Sequence, residues 1–222
     1  MADSRVRWRW LVLPGVALAV WAMAHTDRGS PQGSAPTPAA PPSAAPSPPP
    51  GGGPATTRPG PAYDPADCAA AVRRYAAQAG VAPRLVMAIL YNEAYKPHDP
   101  AFERAWQRYK ADAAFGIANM HRATFDEVRR GRDFAGRKWD ELPDDRNLAI
   151  EAAAWYLHDL ARQLPGHWSA SYSRDELLAL GYNAGAGNML AFARGVPPGS
   201  QAQSYLDRLH DNWDKAGKAV AP

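Results

Sequence analysis

Thirteen of the 22 prolines in this 222-residue chain fall within its first 62 residues. Proline fixes its own φ and lacks a backbone donor, so neither helix nor sheet runs through so dense a series. From 26 to 62 the remaining residues are mostly Ala, Gly and Ser, which offer little apolar surface to bury. Such a tract is expected to be an extended linker. At about 3.1 Å per residue it would reach on the order of 110 Å. A folded core is left to residues 63–222, a length sufficient for one domain.

Ahead of the linker, Arg5, Arg7 and Arg9 precede an apolar run from Trp10 to Ala24. That run is shorter than the roughly 20 residues of a spanning helix. Ala22, Met23 and Ala24 give an Ala-x-Ala cleavage pattern, as in a signal peptide. Trp8, Trp10 and Trp21 instead suit an uncleaved anchor with aromatic side chains at the interface. Residues 1–25 are therefore expected to be a signal peptide or a membrane anchor. Either carries the rest of the chain out of the cytoplasm, secreted to the cell wall or held at the membrane.

The formal charge of +3 does not belong to the domain. Residues 1–62 hold five Arg against two Asp, and residues 63–222 hold 20 basic against 20 acidic side chains. A domain so balanced lacks the bulk charge of a nucleic-acid binder. Cys68 stands alone and cannot form an internal disulfide; it reads as a small buried residue. The six His include no His-x-x-x-His pair, and there is neither a Gly-x-Ser-x-Gly elbow nor a phosphate-binding Gly loop. No metal or other cofactor is expected. The oligomeric state has no signature here.

Helix signals follow one another through the domain, and no alternating strand pattern appears. One helix starts at Asp64-Pro65, runs to about Gln78 and stops at Gly80. Pro83 opens a second, which ends at Glu93. Asp99 caps a third, from about Pro100 to Lys110. Thr124 is read as the cap of a short helix over 125–130. Asp144 or Asp145 leads a long one from Leu148 to Leu164, stopped by Pro165 and Gly166. Ser173 to Glu176 form a capping box. Ser200 begins the last helix, with Tyr205, Leu206, Leu209 and Trp213 on one stripe. The fold class is all-α.

Val86, Ile89, Leu90 and Glu93 lie at i, i+3, i+4 and i+7, so the acid shares the apolar face. Glu93 is then either a helix-end carboxylate that turns to solvent or a desolvated acid. Burial and the negative end of the helix dipole both disfavour an ionised carboxyl. An acid kept neutral can serve as a general acid.

Two stretches follow in order: Ala114-Phe115-Gly116-Ile117-Ala118-Asn119-Met120, and Leu178 to Asn188 with Tyr182-Asn183-Ala184-Gly185 at its centre. Together with Leu85 to Glu93 they resemble the catalytic domain of soluble lytic transglycosylases and goose-type lysozymes, over roughly residues 64–215. In that family a helix ends in the catalytic Glu, a Gly-Leu-Met-Gln-like turn follows, and an Ala-Tyr-Asn-Ala-Gly motif comes next. The resemblance implies a lysozyme-like helical fold and cleavage of the β-1,4 bond between N-acetylmuramic acid and N-acetylglucosamine in peptidoglycan glycan strands. It makes Glu93 the acid/base and puts Tyr182 beside it. It puts Gly116, Asn119, Met120, Asn183 and Gly185 along the sugar groove. Tyr182 also reads as a core tyrosine, and Met120, like Phe115, as packing.

Three departures bear on function. Ala94 replaces the Ser that usually follows the Glu, Asn119 replaces Gln, and the stretch from Glu93 to Gly116 holds an extra helix. Asp99, Glu103 and Asp112 in that stretch each read as a cap or a solvated charge, so no second carboxylate is fixed. The resemblance implies one Glu serving both steps, with the sugar's own 6-hydroxyl closing a 1,6-anhydro ring. A hydrolytic lysozyme on the same fold and a catalytically silent wall-binding domain are the rival readings.

Overall fold

The computed structural model describes residues 64–95, 98–110 and 112–222. The expected export segment and linker lie outside them. The described residues form eight α-helices: α1 Ala69–Ala79, α2 Pro83–Glu93, α3 Pro100–Gln107, α4 Arg122–Val128, α5 Arg146–Gln163, α6 Arg174–Ala184, α7 Ala186–Ala193 and α8 Ser200–Ala219. Two 3-10 turns, Pro65–Cys68 and Trp139–Glu141, accompany them. No strand occurs among the described residues, whose one isolated bridge joins Phe115 and Met120. The chain is all-α, as its patterning requires. No helix of the described residues is long and apolar enough to cross a membrane.

α2 is the centre of the domain. Every residue from Leu85 to Glu93 is buried, and a helix enclosed on all sides belongs inside a core. Leu85, Met87, Ile89 and Leu90 are fully buried, each worth about 1.5–3 kcal/mol of apolar transfer. α8 lies along α2 more extensively than any other helix, α1 packs on α5, and α6 contacts α7, α8 and α5. At the start of α2, Arg84 binds the far end of α8. Its Nε donates to the Trp213 carbonyl at 2.8 Å, and its guanidinium sits 4.6 Å from the Trp213 ring centre.

Most boundaries follow local chemistry. The Val81 and Gly80 N–H groups return to the Ala76 and Ala77 carbonyls and stop α1. The Asp145 carboxylate accepts from Leu148 N–H at 3.0 Å and starts α5. Ser173 and Glu176 form the expected reciprocal box at the start of α6.

Four details differ from expectation. The first helix opens as the 3-10 turn before α1. α3 ends at Gln107, because Arg108 to Lys110 turn back onto the carbonyls of Ala105 and Trp106. α4 begins at Arg122 after His121, not at a Thr124 cap. The fourth is α7, which the glycines of 185–187 concealed. Gly185 (φ 85°, ψ 161°) makes a sharp joint that ends α6 and starts α7. Gly187 lies within the first turn of α7. Met189 of α7 packs so closely on Gly181 that a Cβ there would meet its sulfur at 2.8 Å.

Candidate active site

Glu93 ends α2 at 7% exposure, and both of its carboxylate oxygens have partners. The Tyr205 hydroxyl, from α8, donates to Oε1 at 3.0 Å. The Asn119 amide donates to Oε2 at 2.7 Å and to the Glu93 backbone carbonyl at 3.3 Å. A phenol can donate to a carboxylate or accept from a carboxylic acid. The Tyr205 bond therefore survives in either protonation state. No hydroxyl at position 94 is needed for this arrangement, since Asn119 and Tyr205 hold the group from two sides. Next to it, Asn92 donates to the Tyr205 carbonyl at 3.0 Å and accepts from Asn212 at 2.9 Å, which locks α8 onto α2.

Asn119 reaches Glu93 from a closed turn. Phe115 and Met120 exchange backbone hydrogen bonds of 3.1 and 3.0 Å, and Gly116 to Asn119 form the loop between them. Trp139 fixes the turn from below: its ring stacks on Phe115 with centroids 4.0 Å apart, and its Nε1 donates to the Met120 carbonyl at 2.8 Å. Gly116 (φ 70°) lies against the Leu142 carbonyl, which a Cβ would approach to 2.7 Å. Only glycine suits both demands. Asn119 (φ 47°) is left-handed, a conformation that Asn tolerates better than Gln.

Tyr182 holds the same turn, but its hydroxyl does not go to Glu93. It donates to the Ala118 carbonyl at 2.7 Å, with the Tyr156 ring 5.4 Å away. Burial, then the nearby Glu93 charge, pushes the phenols of Tyr182 and Tyr205 well above their ordinary range. Burial raises Tyr156 to about 12. All three are therefore neutral hydrogen-bond donors through the physiological range.

Glu93, Asn119, Tyr182 and Asn183 border one groove of about 620 Å³. Gly116 supports its rim through the backbone. Met120 is 3% exposed and packs in the core, so its side chain does not line the groove. Gly185 shapes the α6–α7 joint and does not border it either. A larger cavity of about 850 Å³ opens over Asp67, Arg74 and Asp144 to Asn147. Its Asp144 and Asp145 are already engaged by Arg104 and by the start of α5.

Glu103 is the other carboxylate on the groove, and it is neither a cap nor a solvated charge. It is 8% exposed. Its Oε2 accepts from Gly116 N–H at 2.8 Å, and its Oε1 lies 3.0 Å from His98 Nδ1. His98 Nε2 is 3.2 Å from the Glu93 carbonyl. A carbonyl only accepts, so Nε2 must carry a hydrogen. One proton is then shared between Nδ1 and Glu103. This pair joins α3, the end of α2 and the Gly116 turn. Asp99 is a cap, as expected: it accepts from Phe102 N–H at 2.6 Å.

Tyr205 and Glu103 are the residues that sequence patterning missed. Tyr205 was legible as a member of the α8 stripe, with nothing to indicate its partner. The two tyrosines should separate on mutation. Tyr205→Phe is expected to cost about 1 kcal/mol of stability, the usual value of one hydrogen bond, yet to reduce turnover by more than that energy implies. Tyr182→Phe should show a similar stability loss and a smaller change in turnover. Thermal melting and steady-state rates check both. A Tyr205→Phe enzyme with unchanged turnover would remove Tyr205 from any positioning of Glu93.

The model of one protein family, described as the transglycosylase SLT domain, matches residues 70–196, more than half of the chain. No curated protein and no solved structure matches it.

Proposed function

Because this chain belongs to the transglycosylase SLT domain family, we propose that it cuts peptidoglycan glycan strands with Glu93 alone as acid and base. The family is one of peptidoglycan lytic transglycosylases, and the match supports an enzyme of this kind acting on cell-wall peptidoglycan. The bond cut is the β-1,4 link from N-acetylmuramic acid to N-acetylglucosamine. Glu93 gives its proton to the departing glycosidic oxygen as the bond to C1 breaks. The acetamido group of the muramoyl residue stabilises the cationic centre. The Glu93 carboxylate then takes the proton of the 6-hydroxyl, whose oxygen closes on C1. No water is consumed, and the proton returns to Glu93.

The observation that carries this reading is the unequal state of the two groove carboxylates. Glu93 lies at the groove with partners that serve both of its protonation states. Both oxygens of Glu103 are also held, but by the His98 ring and the Gly116 N–H, so turning it to activate water would undo the tie between α3 and the Gly116 turn. An internal hydroxyl needs no second base to be held near C1. Asn119, Asn183 and the Gly116 turn are assigned to sugar contacts, and Tyr182 and Tyr205 to positioning. Residues 1–25 would export the domain and 26–62 would tether or space it, since the substrate lies outside the cytoplasm.

Products decide between this reading and hydrolysis. Purified wall digested by the full chain is expected to yield 1,6-anhydromuramoyl ends, one water lighter by mass spectrometry than hydrolysis products. Reducing muramic acid ends as the main product would make the enzyme a lysozyme. Wall binding without release would make it a silent binding domain.

A further inference from the structure

α3 is turned inside out. Its one buried residue is Glu103, while Phe102 and Trp106 are 54% and 52% exposed. Tyr95 before the helix is 67% exposed and Tyr109 after it 87%. Val196 is the only other large apolar side chain so exposed among the described residues. Large apolar groups scattered singly over a surface need no explanation, but four within fifteen residues do. The helix is not held by apolar packing. Glu103 ties it to Gly116 and His98, and Arg104 ties it to Asp144 and the Asp140 carbonyl. These polar contacts keep the aromatic face turned outward.

That face is continuous with the groove. Tyr95, Phe102, Trp106 and Lys110 border the same cavity as Glu93. Phe102 and Trp106 follow at i and i+4, so they share one face of α3. The same groove presents the exposed amides of Asn183 and Gln201. An apolar helix or a membrane surface would cover the rings but bury those two exposed amides without offering them a partner, which is costly. A pyranose offers both what the rings and what the amides require: a flat C–H face and a rim of hydroxyl and acetamido groups.

We propose that the outer face of α3 is a sugar-binding platform, on which Phe102 and Trp106 stack against glycan rings of the strand that enters the groove. This rests on the reading of the groove as a glycan-cleaving site and adds a binding surface carried by the inserted helix. It makes α3 a determinant of strand affinity at the groove.

The test uses the full chain and glycan strands stripped of their stem peptides. In a Glu93→Gln background, Phe102→Ala with Trp106→Ala is expected to weaken strand binding on the order of tenfold or more, as loss of aromatic anchors does. Melting temperature should hold, because both side chains are exposed. With Glu93 intact, the same pair should raise KM for glycan strands by a similar factor, with a smaller change in kcat. Strand affinity unaltered by the double substitution overturns the platform. Binding that vanishes once stem peptides are removed overturns it as well, and gives the face to peptide. Loss of self-association with strand affinity intact overturns it in favour of a second copy. Stripped strands bound through Phe102 and Trp106, by a protein that cuts no wall, would sink the cleavage reading and leave the platform standing.

Discussion

Glu93→Gln is expected to reduce glycan release by about 10²–10⁴, the usual cost of losing a general acid. The fold should survive, because the amide keeps a contact to both neighbours. Its oxygen accepts from the Asn119 amide and its NH₂ donates to the Tyr205 oxygen, so both contacts persist and only the Tyr205 hydroxyl hydrogen must find a new acceptor. Melting temperature should stay level or rise, since a buried acid has become a neutral amide. Glycan release and thermal melting, measured on the same preparation, separate chemistry from folding. A folded Glu93→Gln enzyme with near-normal release would place the acid elsewhere.

Glu103→Ala should carry the largest stability loss of any single polar substitution at the groove. It strips Gly116 N–H and His98 Nδ1 of a buried partner at once. Each buried group that loses its partner costs about 1–3 kcal/mol, so a total of roughly 2–6 kcal/mol is expected. Release should fall with it, because α3, the end of α2 and the Gly116 turn lose their common tie. Glu103→Gln keeps an acceptor for Gly116 and should lose less. Chemical denaturation provides the measurement. A Glu103→Ala protein within about 0.5 kcal/mol of the parent would mean that the pair holds nothing.

The parts of the site that could be read in advance are those written in local spacing. Pro83 and the i, i+3, i+4, i+7 series place Glu93 at the end of a helix in the core, without reference to anything distant. The caps at Asp99, Asp145 and Ser173 are equally local. Glu103 defeats such reading, since a charged residue on a short helix looks solvated until Gly116 arrives above it. Tyr182 shows the limit of family likeness. The motif brings the ring to the right region, but its hydroxyl is spent on the Ala118 carbonyl, and Tyr205 reaches the acid from another helix. Met120 belongs to the groove turn by sequence and to the core by side chain, which is buried with the core cluster. α7 was hidden because glycine at a joint and glycine at a stop look alike without the Met189 contact to tell them apart.

The partners of the acid come from far along the chain. Tyr205 lies 112 residues beyond Glu93, and Asn212 lies 120 beyond Asn92. Contacts so distant form only after the entropy of closing a long loop has been overcome. A ribosome delivers α2 well before α8, and the family-matched region itself ends at 196, ahead of α8. An unfinished copy therefore carries Glu93 without the hydroxyl that orients it and without the helix that encloses it. The surroundings of Glu93 are thus among the last features of the domain to close, because they wait for the end of the chain.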